Sequence, residues 1–363
     1  MFSVEGKTYL ELGVNLGARL GERIKRAHAA RREWVDKLTG FMNADRKARR
    51  DPFVRALAES FPHLLEELEG LAEGAGIAFD RMLAVNLNPE LSALMKSVTH
   101  EDDCTGAAVL AGGKVWLGHN EDGSCSYLDS MSLLEVSWPS GARSLCYCYP
   151  GYWPGNGPSV SSRGLCQTVN YIGAVSVKPG VPRYALDRAI LEAGDLEEAI
   201  ALACHPKRAY SQHHFLMSAE EGRIVSVETG PDAASVIEVQ GIFVHANHYV
   251  HERMKEVPQF PADQGGSRTR QQAAQEWAEK FPDPAAVGED DLLSMLSSHL
   301  HRPHSICRHP APELTGCTLG AMMVKGLERE VRFFEGPPCR GRERKPAWPC
   351  PARPEMKSPA DGG

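Results

Sequence analysis

The chain has 363 residues, of which 42% are hydrophobic and 24% charged, and it carries a formal net charge of −7. That length suits one large domain or two smaller ones, and an acidic balance with no clustered basic patch excludes nucleic acid or an anionic membrane as a partner. No run approaches about eighteen apolar residues, so no membrane span is expected. The opening Met1–Gly13 stretch lacks the basic-then-apolar layout of a secretory signal, which predicts a cytoplasmic location.

In chain order, the first hundred residues read as helical. Leu12, Leu16, Leu20 and Ile24 recur every fourth position and give one apolar stripe on a charged segment. Asp51-Pro52 reads as a helix start, and Phe61-Pro62 as a kink or split in the helix that follows. A third short helix is expected over Met82–Met95. At Cys104 the texture changes to short β-rich runs: Cys104–Leu110, Lys114–Gly118 across a Gly112-Gly113 hairpin turn, Ser132–Trp138, Ser144–Tyr149, Ser159–Ser162 and Leu165–Tyr171. Helical texture returns over Arg183–Leu202, then strands at Phe215–Met217, Arg223–Glu228 and Ile242–His245. Helices follow over Thr269–Lys280 and Asp290–Leu300, and the last strands over Thr318–Val324 and Glu330–Phe334. The Pro-rich, charged segment 337–363 reads as a disordered tail. Helices, then strands, then both interleaved make this an α+β layered protein.

Ten cysteines are scattered along the chain with no C-x-x-C pair, which removes the common zinc-ribbon and thioredoxin readings. Cys104 stands apart. It starts the first strand of the β-rich block, after the acidic run Glu101-Asp102-Asp103, with a polar Asn120-x-Asp122 loop one hairpin later. Cutting the Asp103–Cys104 bond would give Cys104 an α-amine beside its thiol. Such an amine titrates near ~8 and can take the thiol proton, so one residue supplies nucleophile and base. By position alone, the alternative is a small buried cysteine beginning a strand.

The stretch resembles the penicillin acyltransferase (isopenicillin N acyltransferase-like) family of self-processing N-terminal-nucleophile cysteine hydrolases. The resemblance runs from about residue 8 to 335. It is carried by Leu10-Glu-Leu-Gly13, Asn86-Leu-Asn-Pro-Glu-Leu91, Cys104-Thr, Gly118-His-Asn-Glu-Asp122, Asn156-Gly157, Gly164-Leu165 with Asn170, and His245-Ala-Asn-His248. It implies a four-layer αββα sandwich, with residues 1–103 retained as a small subunit beside a catalytic region 104–336. It further implies Cys104 as nucleophile, Asp122 holding the new α-amine, and Asn247 offering its amide to the oxyanion. Asn120, Arg270 and Trp153 become candidate substrate contacts, the last in a loop forming a lip over the acyl group. The substrate would be a small-molecule amide or an acyl-CoA-type ester, with no cofactor. Two departures bear on the chemistry: Asp103 stands where family members often have glycine, and Glu121 stands where an aromatic can stand.

His301-x-x-His304-x-x-Cys307-x-His309 offers four possible metal ligands in nine residues. The spacing matches no standard finger and arginines surround it, so a polar loop near the site mouth is expected rather than a metal. Strand alternation sends His213 and His214 to opposite faces. Two other readings compete with the self-processing enzyme: an uncleaved binding protein of the same fold, and a metal hydrolase using His301, His304 and His309.

Overall fold

The leucine stripe closes into one long helix, α1 (Tyr9–Ala30), capped by Thr8, whose side chain accepts from the Glu11 amide. The computed structural model describes residues 1–97, 103–261, 266–312, 314 and 316–350. His100, Glu101 and Asp102 of the acidic linker lie outside the described residues, as do residues 351–363. A short strand β1 (Phe2–Glu5) precedes α1, and α2 (Arg32–Ala44), α3 (Arg46–Arg49), α4 (Asp51–Ser60), α5 (Pro62–Ala75), α6 (Phe79–Asn86) and α7 (Asn88–Leu94) follow it. Pro62 begins a new helix instead of kinking an old one, because its ring tolerates only a first-turn position. Pro89 does the same in α7, so the expected Met82–Met95 helix is two pieces.

Small residues bring α1 and α5 into backbone contact. A Cβ on Gly13 would lie 2.1 Å from the Glu67 carbonyl oxygen, and one on Gly74 would lie 2.0 Å from that of Val14. Gly17 and Gly70 face equally close backbone. Only hydrogen fits at these crossings, and the leucines beside them fill the remaining space.

The β-rich block begins with β2 (Thr105–Ala111), β3 (Lys114–Ser124), β4 (Ser132–Ser137), β5 (Arg143–Cys148), β6 (Ser159–Ser161) and β7 (Leu165–Tyr171). Helices α8 (Arg183–Ile190) and α9 (Leu196–Ala203) come next; the expected single helix breaks at Gly194, where Asp195 caps α9. Then follow β8 (Gln212–Ser218), β9 (Arg223–Thr229), β10 (Ala234–Glu238) and β11 (Gly241–His245). The last elements are α10 (Ser267–Ala278), α11 (Glu289–Leu296), β12 (Gly316–Lys325), β13 (Glu330–Glu335) and β14 (Arg342–Arg344). One sheet runs β1-β4-β5-β6-β7-β8-β9-β10, the other β11-β2-β3-β12-β13-β14. All pairings are antiparallel except β1 with β4.

These stack as four layers. Ala107, Val109, Ala321 and Met323 point out of the six-stranded sheet into α10 and α11, packing on Ala274, Leu292 and Met295. Their neighbours Ala108, Leu117, Met322 and Val324 point the other way, towards Phe215 and Met217 of the eight-stranded sheet. On the far side of that sheet, Leu165, Leu216, Val225 and Val227 meet Ile190, Leu196 and Ala199 of α8 and α9, and α1 and α5 extend the same layer. The αββα arrangement is therefore that of an α+β sandwich, with the hairpin β2–β3 at its centre. Among the described residues no helix is long and apolar enough to cross a membrane.

The disordered-tail expectation fails for residues 337–350. Arg342–Arg344 pair with β13, and the Trp348 indole is buried and donates to the Ser161 carbonyl at 3.0 Å. One large aromatic ring outweighs the polar, proline-rich composition around it.

The helical N-terminal segment is tied into the rest by polar contacts as well as by packing. Arg188 of α8 makes a forked pair with Glu67 of α5, Nε to Oε1 at 3.0 Å and Nη2 to Oε2 at 2.8 Å, and both side chains are fully buried. Its guanidinium also lies 3.5 Å from the Trp138 ring centroid. Arg188 Nη2 also lies 2.8 Å from Glu192 Oε1, so Glu67→Ala leaves the guanidinium partly paired and is expected to destabilise the protein by about 2–3 kcal/mol through the lost charged hydrogen bonds. A denaturant melt that shifts by less than about 1 kcal/mol would show that the pair is dispensable.

Candidate active site

Cys104 sits immediately before β2, and the two neighbouring strands decide what surrounds it. β2 pairs with β11 so that Gly106 faces His245; continuing that register by two residues sets Cys104 opposite Asn247. The Cys104 amide accordingly donates to Asn247 Oδ1 at 2.8 Å. On the other side β2 pairs with β3 so that Thr105 faces Asn120, which sets Cys104 opposite Glu121. The Cys104 thiol lies 3.7 Å from Glu121 Oε1. Alternation then separates two functional faces. Cys104, His119 and Glu121 face the space between the sheets, while Thr105, Asn120 and Asp122 face the outer helices.

On the inner face Glu121 is held by three donors. Tyr149 donates its hydroxyl to Oε1 at 2.8 Å, His119 Nε2 meets Oε2 at 3.2 Å, and the Cys104 thiol is the third. Burial, then the nearby Glu121 and Asp122 carboxylates, pushes the Cys104 thiol well above its ordinary range. The thiol is therefore protonated in the intact chain and needs a base before it can attack. It opens on a small cavity of about 20 Å³ lined by Glu121, Tyr149, Tyr152, Asn156, Val169, Arg183 and Tyr184.

On the outer face two arginines hold the residues around the Asp103–Cys104 bond. Arg308 gives Nε to Asp122 Oδ2 at 3.1 Å and Nη1 to Asp103 Oδ2 at 3.2 Å. Arg270 gives Nη1 to the Cys104 carbonyl at 2.6 Å and to Thr105 Oγ1 at 2.8 Å, and its Nη2 lies 3.3 Å from Asp103 Oδ2. The Asp103 carboxylate next to the thiol is thus neutralised by two guanidiniums, which removes the repulsion an acidic residue would otherwise exert on a forming thiolate. Arg308 is itself positioned by β12: its amide donates to Thr318 Oγ1 at 2.9 Å, beside the bulge between Thr318 and Gly320. Burial raises the Asp122 carboxyl, with Arg308 and Arg270 pulling in the opposite direction, and Asp122 Oδ1 has no hydrogen-bond partner among the described residues.

The expected site residues separate accordingly. Cys104, Asp122 and Asn247 come together. The Asn247 side-chain nitrogen gives one hydrogen to the Tyr171 carbonyl at 2.9 Å and keeps a second, while its oxygen accepts from the Cys104 amide. The three candidate substrate contacts lie elsewhere. Asn120 points outward and donates to the Leu296 and Ile306 carbonyls at 2.8 and 3.0 Å. Arg270 is fully buried on the chain's own backbone. Trp153 is also fully buried, its indole donating to the Leu64 carbonyl at 3.2 Å; its neighbour Tyr152 lines the cavity instead. Glu121, Arg308 and Arg183 are the residues that sequence reading did not place. Glu121 was within reach: counting back along both strands from the two-residue Gly112-Gly113 turn arrives at Cys104 on one and Glu121 on the other.

The histidines behave as alternation requires. His213 stacks on His245 with ring centroids 3.5 Å apart, inside the core, while His214 turns away to Asp187 at 2.9 Å. His301 is partly exposed and 4.0 Å from Glu276, His304 rests against Gly266, and only Cys307 and His309 of the histidine-rich run approach each other.

A cysteine at the head of an inner strand, between two stacked antiparallel sheets flanked by helices, defines the N-terminal-nucleophile hydrolase fold. The chain belongs to the acyl-coenzyme A:6-aminopenicillanic acid acyl-transferase family, whose family model matches residues 109–338; the match begins just after Cys104. A β-alanyl-dopamine/carcinine hydrolase from Drosophila melanogaster is 24% identical over 208 residues, 53% of this chain and 54% of that protein. The chain therefore spans about half the length of this curated relative. Among solved structures, a mutant conjugated bile acid hydrolase from Clostridium perfringens aligns at 10% identity and a TM-score of 0.42, over 70% of this chain and 100% of that one. A second variant of the same hydrolase has a TM-score of 0.40 at the same identity and coverage.

Proposed function

We propose that this chain is a self-processing cysteine amide hydrolase, cut at Asp103–Cys104 and acting through a Cys104 thioester. The observation that carries the reading is the placement of Cys104: its amide is gripped by Asn247, its thiol meets a carboxylate, and it opens on a small enclosed cavity. In the first reaction Glu121 takes the thiol proton and sulfur attacks the Asp103 carbonyl carbon. The C–N bond breaks as the C–S bond forms, and the departing nitrogen of Cys104 is protonated. Water then opens the thioester, leaving the Asp103 carboxylate and a free thiol.

The new α-amine would sit between Asn247 Oδ1 and the unpartnered Asp122 Oδ1. From there it serves as base for turnover, in which the thiolate attacks an amide, expels the amine and is freed by water. The oxyanion donors in this reading are the second amide hydrogen of Asn247, whose first goes to the Tyr171 carbonyl, and the side-chain amide of Asn156, which lines the cavity. One such donor is typically worth about 3 kcal/mol in the transition state.

The cavity has room for little more than a water molecule, far too little for a whole CoA ester, which makes water the acceptor in this reading. Four tyrosines, Tyr149, Tyr152, Tyr171 and Tyr184, supply aromatic walls. Among the described residues Arg183 Nε and Nη1 have no hydrogen-bond partner, offering donors to a polar substrate atom. β-Alanyl amides of aromatic amines, the type named in the Drosophila relative, are the first substrates to test. The intact mass of the purified protein under denaturing conditions is expected to show two fragments of roughly 11 and 28 kDa, proportional to length, the larger beginning at Cys104. A single uncut chain after days near neutral pH would remove the α-amine base and leave a binding protein of the same fold.

A further inference from the structure

Away from Cys104, four side chains from three separate stretches converge at the edge of the six-stranded sheet. His299 follows α11, Cys307 and His309 lie in the loop leading to β12, and Cys339 belongs to the C-terminal segment that folds back after β13. Their ligand atoms all lie within 4.8 Å of one another. The Cys307 and Cys339 sulfurs are 3.6 Å apart, and the Nε2 atoms of His299 and His309 are 3.0 Å apart. His309 Nε2 is 3.3 Å from the Cys339 sulfur and 3.9 Å from that of Cys307.

A tetrahedral zinc ion with the usual bond lengths holds two sulfurs about 3.8 Å apart, two nitrogens about 3.3 Å apart, and each sulfur about 3.6 Å from each nitrogen. The four observed distances scatter around those edges. We propose that His299, Cys307, His309 and Cys339 form a structural zinc site that clasps the C-terminal segment to the loop before β12. The sequence hides it because the fourth ligand is far from the other three and the local spacing resembles no finger.

The charge around the site fits such an ion. Arg302 and Arg340 flank the cluster, and a bare dication beside them would be repelled. Zinc binding expels one proton from each thiol, and the two thiolates cancel its charge, so the complex is formally neutral. An open groove lined by His299, Arg302, Pro303, His309 and Cys339 gives the ion a way in. With four protein ligands no position is left for water, which makes the site structural rather than catalytic. It also differs from a hydrolytic centre built on His301, His304 and His309, since His301 and His304 point elsewhere.

The test uses the full-length protein, purified without chelator from zinc-supplemented medium, alongside His299→Ala and Cys339→Ser. Elemental analysis is expected to find about one zinc per chain in the wild type and most of it lost from both variants. Replacing zinc by cobalt should give the intense visible bands of a tetrahedral site together with a thiolate-to-cobalt charge-transfer band, which Cys339→Ser weakens. The cobalt spectrum of the wild type keeps the test decisive should a variant fail to fold. Under about 0.1 metal per chain with no such spectrum would overturn the proposal. So would full zinc retention in both variants, or a Cys307–Cys339 disulfide, seen as two thiols that resist alkylation until reduced.

Discussion

Cys104→Ala is expected to remain one uncut chain through any incubation that splits the wild type, and to lose amide turnover by about a millionfold. That figure is typical when the nucleophile of a covalent hydrolase is removed. In the proposed mechanism both effects follow from one atom: sulfur breaks the Asp103–Cys104 bond, and the same sulfur carries the acyl group afterwards. Alanine fits the buried position before β2 with little strain, and neither the Asn247–Cys104 amide bond nor the Arg270 bond to the Cys104 carbonyl involves the thiol. The variant should therefore melt close to the intact wild-type chain. Intact mass and a rate assay check it, and appearance of the two fragments from Cys104→Ala would move the cleavage chemistry to another group.

Glu121→Gln separates the two reactions. In the uncut chain the Cys104 nitrogen is a peptide amide and no base, and the thiol's neighbour is the Glu121 carboxylate at 3.7 Å. Glutamine keeps the shape and can still accept from Tyr149, but it is far too weak a base for the thiol proton. Self-cleavage should slow by about 10²–10⁴-fold, the usual contribution of a positioned general base. The fraction that does cleave has the Cys104 α-amine to take over, so its turnover should fall much less. Time courses of fragment appearance, and rates normalised to cleaved protein, measure the two effects separately. Equal losses in both would mean that Glu121 acts through cavity shape or substrate binding, and unchanged cleavage would exclude it as the base.

The sequence was legible where physics is local. The Leu12–Ile24 stripe, the Pro62 boundary and the Gly112-Gly113 turn each act within a few residues, and the elements they announce are present. What the sequence conceals depends on pairing between distant segments. β10 ends on alternating half-exposed positions with a weak apolar signal, and β14 exists only because β13 offers an edge. Arg308 becomes a site residue only once the bulge in β12 brings its loop beside Asp122. Asn120, Asp122 and Glu121 show the middle case. They read as one polar loop, but they lie on a strand, so Glu121 faces the thiol while its neighbours face the helices. The register that settles this was contained in the hairpin turn. Trp153 and Arg270 were misplaced for a related reason: a large side chain beside a reactive centre can be part of the wall that holds the backbone, with no surface left for substrate.

The forked Glu67–Arg188 pair and the backbone-close crossing of α1 with α5 have a consequence for molecularity. All seven helices of the N-terminal segment precede Cys104, and they pack into the layer that covers the eight-stranded sheet. While the chain is continuous, these contacts form within one molecule and refolding yield does not depend on protein concentration. If the bond before Cys104 is cut as proposed, the same contacts must be found by two separate polypeptides. Their refolding becomes second order, and dilution alone would leave the halves apart. A protein that matures in this way assembles its architecture once, as a precursor. After the cut it is held together by the slowness of dissociation as much as by the depth of its free-energy minimum.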